Sequence, residues 1–167
     1  VVERVLTMVG FPTRVLPWRE WFRAALFPAR PVLAGHPGTA RWLLLHGPAF
    51  PAMIPVVDAG IASLQRAGFG ADTAKTYAAL FNTALMTIAS ADDRAAHTRS
   101  AGRDHEALMD EFEALGRESP GISLLTRDLA GRLTGSAESA ASVQDEYYRF
   151  VLERLMDGLE DLTTSQR

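Results

Sequence analysis

The chain has 167 residues, 47% of them hydrophobic and 22% charged, which suits one globular domain and excludes a disordered tail or a fibrous repeat. It contains no cysteine, which excludes disulfide frameworks, cysteine-based zinc sites and thiol catalysis, and favours a cytoplasmic protein. Seventeen Lys and Arg against twenty Asp and Glu give a net charge of −3, unlike the basic surface of a nucleic-acid-binding domain. We therefore expect that the chain alone does not bind DNA.

A short helix is predicted at the start of the chain. Apolar residues recur at helical spacing from Val2 to Val9, and Gly10 ends the stripe. The stripe begins at the first residue without a capping residue, so we expect it to be the end of a helix whose beginning is missing.

The second predicted helix begins at Pro17 and carries large aromatic residues on one face. Two further prolines, Pro28 and Pro31, each remove a backbone hydrogen bond and crowd the preceding turn. This helix is therefore expected to kink or become irregular before Gly35. A kink beside several large aromatic residues would open space inside the protein.

Glycine stops define the next three predicted helices. The segment GHPGTARWLLLHGP predicts a turn, a short helix through Leu45 and a stop at Gly47. The following helix is expected to end at Gly68, where glycine accepts the left-handed backbone of a helix end. A long helix is then predicted over residues 71–97.

The last part of the chain also predicts helices. A charged surface helix is expected over Asp104–Leu115, and Ser119 is expected to cap another that runs to Gly135. The final helix, residues 140–163, is expected to begin at a capping box that includes Ser142, and its two adjacent apolar stripes require two partners. Alternating strand patterns of useful length and internal repeats are absent from the sequence. The predicted fold class is therefore all-α, a bundle of seven or eight helices.

Three segments stand in a definite order and spacing: AGHPGTARWLLLHGP, AGIASLQRAGFGADTAKTYAALFNTALMTIA and, near the end, EYYRFVLERLMDGLED. In this order they resemble the regulatory domain of TetR-family transcriptional regulators. In that family a short helix follows an HPG turn, an AGF turn leads into a long helix, and a final helix ends in DGLE. The resemblance spans most of the chain, but no segment resembles the helix-turn-helix head of the family. It implies that residues 1–10 are the remnant of the helix that links to the missing DNA-binding head, and that residues 11–167 form the effector-binding and dimerisation domain.

The resemblance implies a homodimer, in which the long helix and the last helix of each copy form a four-helix bundle. The two apolar stripes of the last helix also call for a second surface, and Gly158 would allow two backbones to approach closely. The alternative is that both stripes are satisfied within one chain. The residues expected at the interface are Ala79, Thr83, Thr87, Tyr148, Val151, Leu152, Leu155, Gly158, Leu159 and Leu162.

The resemblance also implies a pocket for a small apolar or aromatic effector, between the helix that begins at Pro17, the helix that ends at Gly68 and the long helix. Such pockets are mostly apolar with a few polar groups. The alternative is that the same residues simply form the core. The expected lining residues are Trp21, Phe22, Leu26, Trp42, His46, Phe50, Met53, Val57, Phe81, Leu85 and Phe150, with Asn82 as a polar contact.

Motifs for metal binding or catalysis receive little support from the sequence. Asp93 and His97 lie one helical turn apart, but the paired Glu-x-x-His motifs of a helical di-iron site are absent. His46 follows Trp42 by one turn, so it is expected either to contact an effector or to bond a nearby carbonyl group. A nucleophile elbow, a P-loop and a dinucleotide fingerprint are also absent from the sequence. We therefore expect no catalysis, no metal and no cofactor.

The function expected from the resemblance is that of a one-component repressor, whose effector changes the spacing of two DNA-binding heads. The expected partners are a second copy, the effector, and DNA only through the head. No membrane partner is expected, because the longest uncharged runs, 42–57 and 76–91, have 16 residues and a membrane helix needs about 20. Two alternatives are a small helical enzyme or carrier with an aromatic-lined cavity, and a structural dimerisation module with a filled core.

Overall fold

A computed structural model describes residues 1–100, 102–130 and 137–164 of the chain. These residues form helices and connecting turns without a β-strand, which confirms the all-α class and the expected number of helices. In chain order the helices are α1 (Val2–Val9), α2 (Trp18–Ala34), α3 (Thr39–His46), α4 (Ile54–Ala67), α5 (Thr73–Ser100), α6 (Gly102–Glu118), α7 (Pro120–Leu125) and α8 (Ala137–Thr164). Single turns of 3-10 helix, Pro51–Met53 and Gly70–Asp72, precede α4 and α5, and a π-helical turn, Thr126–Ala130, follows α7.

The chain forms two compact units. The first unit contains residues 1–90 and α8 from Tyr148 onward, and the second contains residues 91–147. No single helix of the described ranges is long and apolar enough to cross a membrane. The segments Thr39–His46 and Pro51–Ala67 reach that length and hydropathy only together, across a bend of 87°.

Two glycines enclose α3, as the sequence predicted. Gly38 precedes the helix with φ of +87°, and Gly47 follows it with φ of +71°. Both values lie in the left-handed region, which glycine enters without the steric cost of a Cβ atom. The short helix is therefore held at both ends by backbone turns that place Leu43 and Leu44 toward the interior cavity described below.

Helix α2 does not become irregular before Gly35, because it continues through Pro28 and Pro31 to Ala34. The alternative expectation, a kink at these prolines, stays a prediction. Each internal proline removes a hydrogen bond and costs about 3 kcal/mol in an isolated helix. The apolar stripe of α2 stays buried along its whole length, including Leu26 before the prolines and Leu33 after them. Burial of such side chains contributes about 1.5–3 kcal/mol each, so tertiary packing compensates for the local cost.

Several helix ends near the carboxyl terminus differ from the predictions. Helix α8 begins at Ala137, so Ser142 lies inside the helix rather than at its cap, because the alanine-rich segment before it has high helix propensity. The Ser119 cap is confirmed, since its Oγ accepts a hydrogen bond from the amide N–H of Ile122 at 3.3 Å. The predicted end of the following helix, Gly135, lies outside the described residues.

In the second unit, α6 packs against α7 at Gly116, where an added Cβ atom would lie 3.5 Å from the Cα atom of Ser123. The apolar side chains of α6 that recur at helical spacing form a seam on another face. These side chains, Leu108, Phe112 and Leu115, are each more than two-fifths exposed. The seam is therefore largely uncovered, because α7 lies against the neighbouring face that carries Gly116.

The core of the first unit contains an aromatic cluster from α2 and α5. The Trp21 and Phe22 rings are 4.9 Å apart, the Tyr77 and Phe81 rings stack at 4.7 Å, and Phe22 meets Tyr77 edge-on at 5.8 Å. Helix α4 comes close to this cluster at Gly60, where an added Cβ atom would lie 2.6 Å from Trp21 and 2.7 Å from Tyr77. Only glycine fits this contact between α4 and the aromatic rings without a shift of the rings.

Charged side chains join α8 to α2. Arg23 holds Glu153 with two parallel hydrogen bonds of 2.6 and 2.7 Å, and Arg19 donates to Asp157 at 2.6 Å. Bidentate pairs of this kind fix relative orientation better than single contacts. The hydrogen bonds from Arg23 lower the pKa of the Glu153 carboxyl below its ordinary value. The ion pairs therefore help to set the position of α8 on α2.

Candidate ligand-binding cavity

An interior cavity of about 240 Å³ lies in the first unit. Its walls come from α1, α2, α3, α5 and α8, and from the loops after α1 and α3. The cavity therefore collects residues from nearly the whole length of this unit. The lining residues are Leu6, Phe11, Leu26, Ala29, Leu33, Leu43, Leu44, Gly47, Pro48, Met53, Tyr77, Ala78, Phe81, Asn82, Ala84, Leu85, Ile88 and Tyr148.

Polar side chains contribute little to the lining. Among the lining residues there is no Asp, Glu, Lys, Arg or His, and the polar side chains are Tyr77, Asn82 and Tyr148. The Tyr148 hydroxyl donates a hydrogen bond of 2.8 Å to the backbone carbonyl of Leu26, so it is already engaged with the wall. Burial raises the pKa of Tyr77 well above its usual value, which keeps its phenol neutral. The remaining polar groups of the lining, Tyr77 and Asn82, both lie on α5.

Solvent exposure differs around the cavity. Pro48, Ala78 and Asn82 are exposed, whereas Leu33 and Ile88 are buried. The exposed residues belong to the loop after α3 and to one edge of α5, and they mark the mouth of the cavity. The floor is formed by buried aliphatic side chains of α2 and α5.

The predicted lining residues divide into those that reach the cavity and those that do not. Five of them line it: Leu26, Met53, Phe81, Asn82 and Leu85. Trp21 and Phe22 do not, because they are fully buried in the layer behind the wall, with the Phe81 ring 6.3 Å and 6.0 Å away. They support the wall rather than facing the cavity.

Three further predicted lining residues form a stack at the surface. The Trp42 ring lies 4.5 Å from His46 and 5.6 Å from Phe50, with nearly parallel planes in both pairs. Nδ1 of His46 lies 2.9 Å from the Trp42 carbonyl oxygen, which is the second of the two roles expected for this histidine. Trp42 is 36% exposed, so the stack covers the outside of α3, while Leu43 and Leu44 face the cavity.

Val57 and Phe150 are also not part of the lining. Val57 is half-buried on α4, because the buried face of that helix runs through Val56 and Gly60 instead. Phe150 is 61% exposed. It lies two residues after Tyr148, and two residues along a helix turn the side chain to the opposite side. The inward-facing residue of this pair is Tyr148.

The sequence analysis did not predict most of the aliphatic lining residues, and it did not predict two lining residues near the beginning of the sequence. Leu6 and Phe11 line the cavity, although the first predicted helix was taken only as a linker. Leu33 lines it because α2 continues past its prolines. The signal was present in the sequence, since the apolar stripe of the first helix requires a covering surface. The predicted lining consisted largely of aromatic residues, whereas the observed lining is largely aliphatic.

The predicted dimer-interface residues also fall into two groups. Tyr148 and Leu152 are each 1% exposed and belong to the core of their own chain, which corrects their assignment to an interface. One apolar stripe of α8 is therefore satisfied within the chain. The other predicted residues are partly or fully exposed: Ala79, Thr83, Thr87, Val151, Leu155, Gly158, Leu159 and Leu162. Dimerisation through them stays a prediction.

Two buried polar atoms near the aromatic cluster lack a partner within the described ranges, Nε1 of Trp21 and Oγ1 of Thr76. Groups of three or more potential metal ligands are not found in the same ranges.

Comparisons with known protein families, curated proteins and solved structures find no match to this chain. The family resemblance is therefore carried by the sequence segments alone.

Proposed function

We propose that this chain is the effector-binding and dimerisation domain of a one-component repressor of the TetR type. The observation that carries the proposal is an apolar cavity whose lining includes Leu6 of α1 and Phe11 of the loop that follows. In the proposed regulator, α1 continues the connection to the DNA-binding head. A ligand in the cavity thus touches the element through which the head is moved.

The energetic requirement of such coupling is modest. A ligand shifts an equilibrium only by the difference between its affinities for the two states. Contact with one leucine-sized side chain contributes about 1.5–3 kcal/mol, which corresponds to roughly 10- to 150-fold in affinity. Loss of the contact with Leu6 in one position of α1 would therefore suffice for a typical regulatory response.

The cavity favours a binding role over a structural dimerisation module. Unfilled volume in a core costs about 24 cal/mol per Å³, so a closed void of 240 Å³ would cost roughly 6 kcal/mol. That figure is an upper bound because the mouth admits solvent, but whole domains have only about 5–15 kcal/mol of stability. A module that serves only to dimerise gains nothing from such a void. Among the lining residues there is also no acid–base pair, which favours binding over catalysis.

The coding sequence upstream of Val1 provides the first test. The proposal requires a helix-turn-helix head of about fifty residues, with a recognition helix that enters the major groove. An upstream reading frame without such a head would contradict the regulator proposal. Light scattering of the purified chain should also give the mass of two copies, and a strictly monomeric protein would contradict the dimerisation part.

The second test measures whether ligand and α1 are coupled. Apolar compounds that raise the melting temperature should also slow amide hydrogen exchange in α1, because ligands that bind only the native state stabilise it. Leu44→Phe should weaken both effects, because its larger side chain takes up part of the cavity from α3. Stabilisation without any change in the exchange of α1 would contradict the coupling.

A further inference from the structure

The cavity limits the size of its occupant. Its volume of about 240 Å³ exceeds the roughly 150 Å³ of an apolar cavity that holds benzene. Scaled from the six carbon atoms of benzene, it accommodates about ten non-hydrogen atoms. This corresponds to one aromatic ring with a short chain, and it lies below the range of about 300–1,000 Å³ typical of drug-sized ligands.

The lining also limits the charge of the occupant. Within the described part of the chain, the lining offers no ionisable partner except two tyrosines, and burial keeps Tyr77 neutral. An ion moved from water into such surroundings without a counter-charge is strongly disfavoured. The ligand body that rests on the aliphatic floor is therefore uncharged.

The polar side of the cavity lies on α5. The Tyr148 hydroxyl is held by the Leu26 carbonyl on the opposite wall, which leaves Tyr77 and Asn82 to meet a ligand. A phenol and an amide each donate and accept hydrogen bonds. They match one neutral hydroxyl or amide group on a ligand whose remaining surface faces Leu26, Leu33 and Leu43.

From the volume, the lining and the position of these groups, we infer that the cavity binds an uncharged arylalkyl molecule of about ten non-hydrogen atoms. The ligand carries one hydrogen-bonding group, which lies against Tyr77 and Asn82 of α5. This inference rests on the proposed function, because it takes the cavity to be the effector site. It adds the charge, the size and the orientation of the effector.

Four compounds with a common phenylpropyl body test this class: 3-phenyl-1-propanol, butylbenzene, 3-phenylpropanoate and 3-phenylpropylammonium. Their dissociation constants are measured by calorimetry at pH 7 on the whole chain. The alcohol should bind about 10-fold more tightly than either ion, because the charged end beside Asn82 at the mouth loses part of its hydration without gaining a counter-charge. It should bind about 3- to 10-fold more tightly than butylbenzene, which corresponds to one or two hydrogen bonds.

The double variant Tyr77→Phe/Asn82→Leu tests the orientation. It keeps the ring that stacks on Phe81 but removes both polar groups of α5. It should bind the alcohol no more tightly than butylbenzene. The matched control Leu44→Phe takes up part of the cavity but keeps both polar groups, so it should weaken binding of the alcohol and of butylbenzene while preserving the preference for the alcohol. Circular dichroism should show that both variants are folded.

The outcomes separate this inference from the proposed function. Equal or tighter binding of either ion by the wild-type chain would overturn the ligand class while leaving a binding cavity in place. Retention of the preference for the alcohol in the double variant would overturn the orientation on α5. Failure of all four compounds to bind would overturn the inference as a whole, whereas the regulator proposal is decided separately by the coding sequence upstream of Val1.

Discussion

Gly60 lies against the aromatic rings of the core, and its replacement by alanine gives a quantitative prediction. A Cβ atom at this position would lie 2.6 and 2.8 Å from two atoms of Trp21 and 2.7 Å from one of Tyr77. Carbon atoms pack best at about 3.5–4.0 Å, so the rings must retreat by about 1 Å. Trp21 is fully buried against Phe22 and Phe81, whereas Tyr77 borders the cavity and has space to move.

The expected cost follows from two opposing effects. Alanine in place of glycine inside a helix stabilises by about 0.5–1 kcal/mol, and overpacking of a core costs about 1–3 kcal/mol. Gly60→Ala should therefore lower the free energy of unfolding by roughly 0.5–2 kcal/mol, measured by urea denaturation. The melting temperature of a chain of this size should fall by about 1–8 °C. A shift of Tyr77 into the cavity should also weaken binding of the phenylpropyl alcohol.

Gly158→Ala is the matched control, because Gly158 lies inside α8 and no atom lies within 4 Å of its added Cβ. This variant should be more stable than the wild type by about 0.5–1 kcal/mol at protein concentrations that favour the monomer. Equal stability of the Gly60 and Gly158 variants would refute the steric reasoning. A weaker dimer in the Gly158 variant would support close approach of two copies at this position.

Three further predictions concern α8. Tyr148→Phe removes the hydrogen bond to Leu26 and should cost about 0.5–1.5 kcal/mol in urea denaturation; an unchanged midpoint would contradict this contribution. Because Arg23 lowers the pKa of Glu153 below the ordinary 4.5, ionised Glu153 stabilises the fold above that pH, and this stability is lost as pH falls through the lower folded value. Arg23→Met should therefore show a smaller loss of stability between about pH 5 and 3, and an unchanged slope would contradict the ion pair. Val151→Asp, at a predicted interface position that is partly exposed, should produce a folded monomer in light scattering, whereas a dimer of unchanged affinity would exclude this face of α8 as the contact.

Local chemistry made parts of the fold predictable. The ends of α3 follow from Gly38 and Gly47, since a left-handed backbone turn is a property of a few residues. The course of α2 beyond Pro28 was not predictable in the same way, because its buried stripe offsets the local cost of the prolines. That compensation depends on helices distant in sequence. The sequence therefore predicts features that depend on neighbouring residues, such as the ends of α3, but not features that depend on tertiary packing, such as the course of α2.

The cavity shows a second limit of sequence reasoning. Helical spacing places Trp21, Phe22 and Leu26 on one side of α2, but it does not tell which of them reaches an interior surface. Leu26 lines the cavity while the larger rings lie in a deeper layer. In α8, Tyr148 and Phe150 are both aromatic and apolar, and only the docking of the helix on α2 decides which one points inward.

The first unit is assembled from the two ends of the chain, and this affects its biosynthesis. Tyr148 bonds to Leu26 across 122 positions, and residues 91–147 are made between the two parts of the unit. At about 5–20 residues per second, the inner stripe of α2 waits several seconds on the ribosome before α8 can cover it. A nascent chain at this stage exposes apolar surface that chaperones recognise. The cavity also lacks its Tyr148 wall until α8 has been translated, so a ligand can stabilise the complete cavity only after that point.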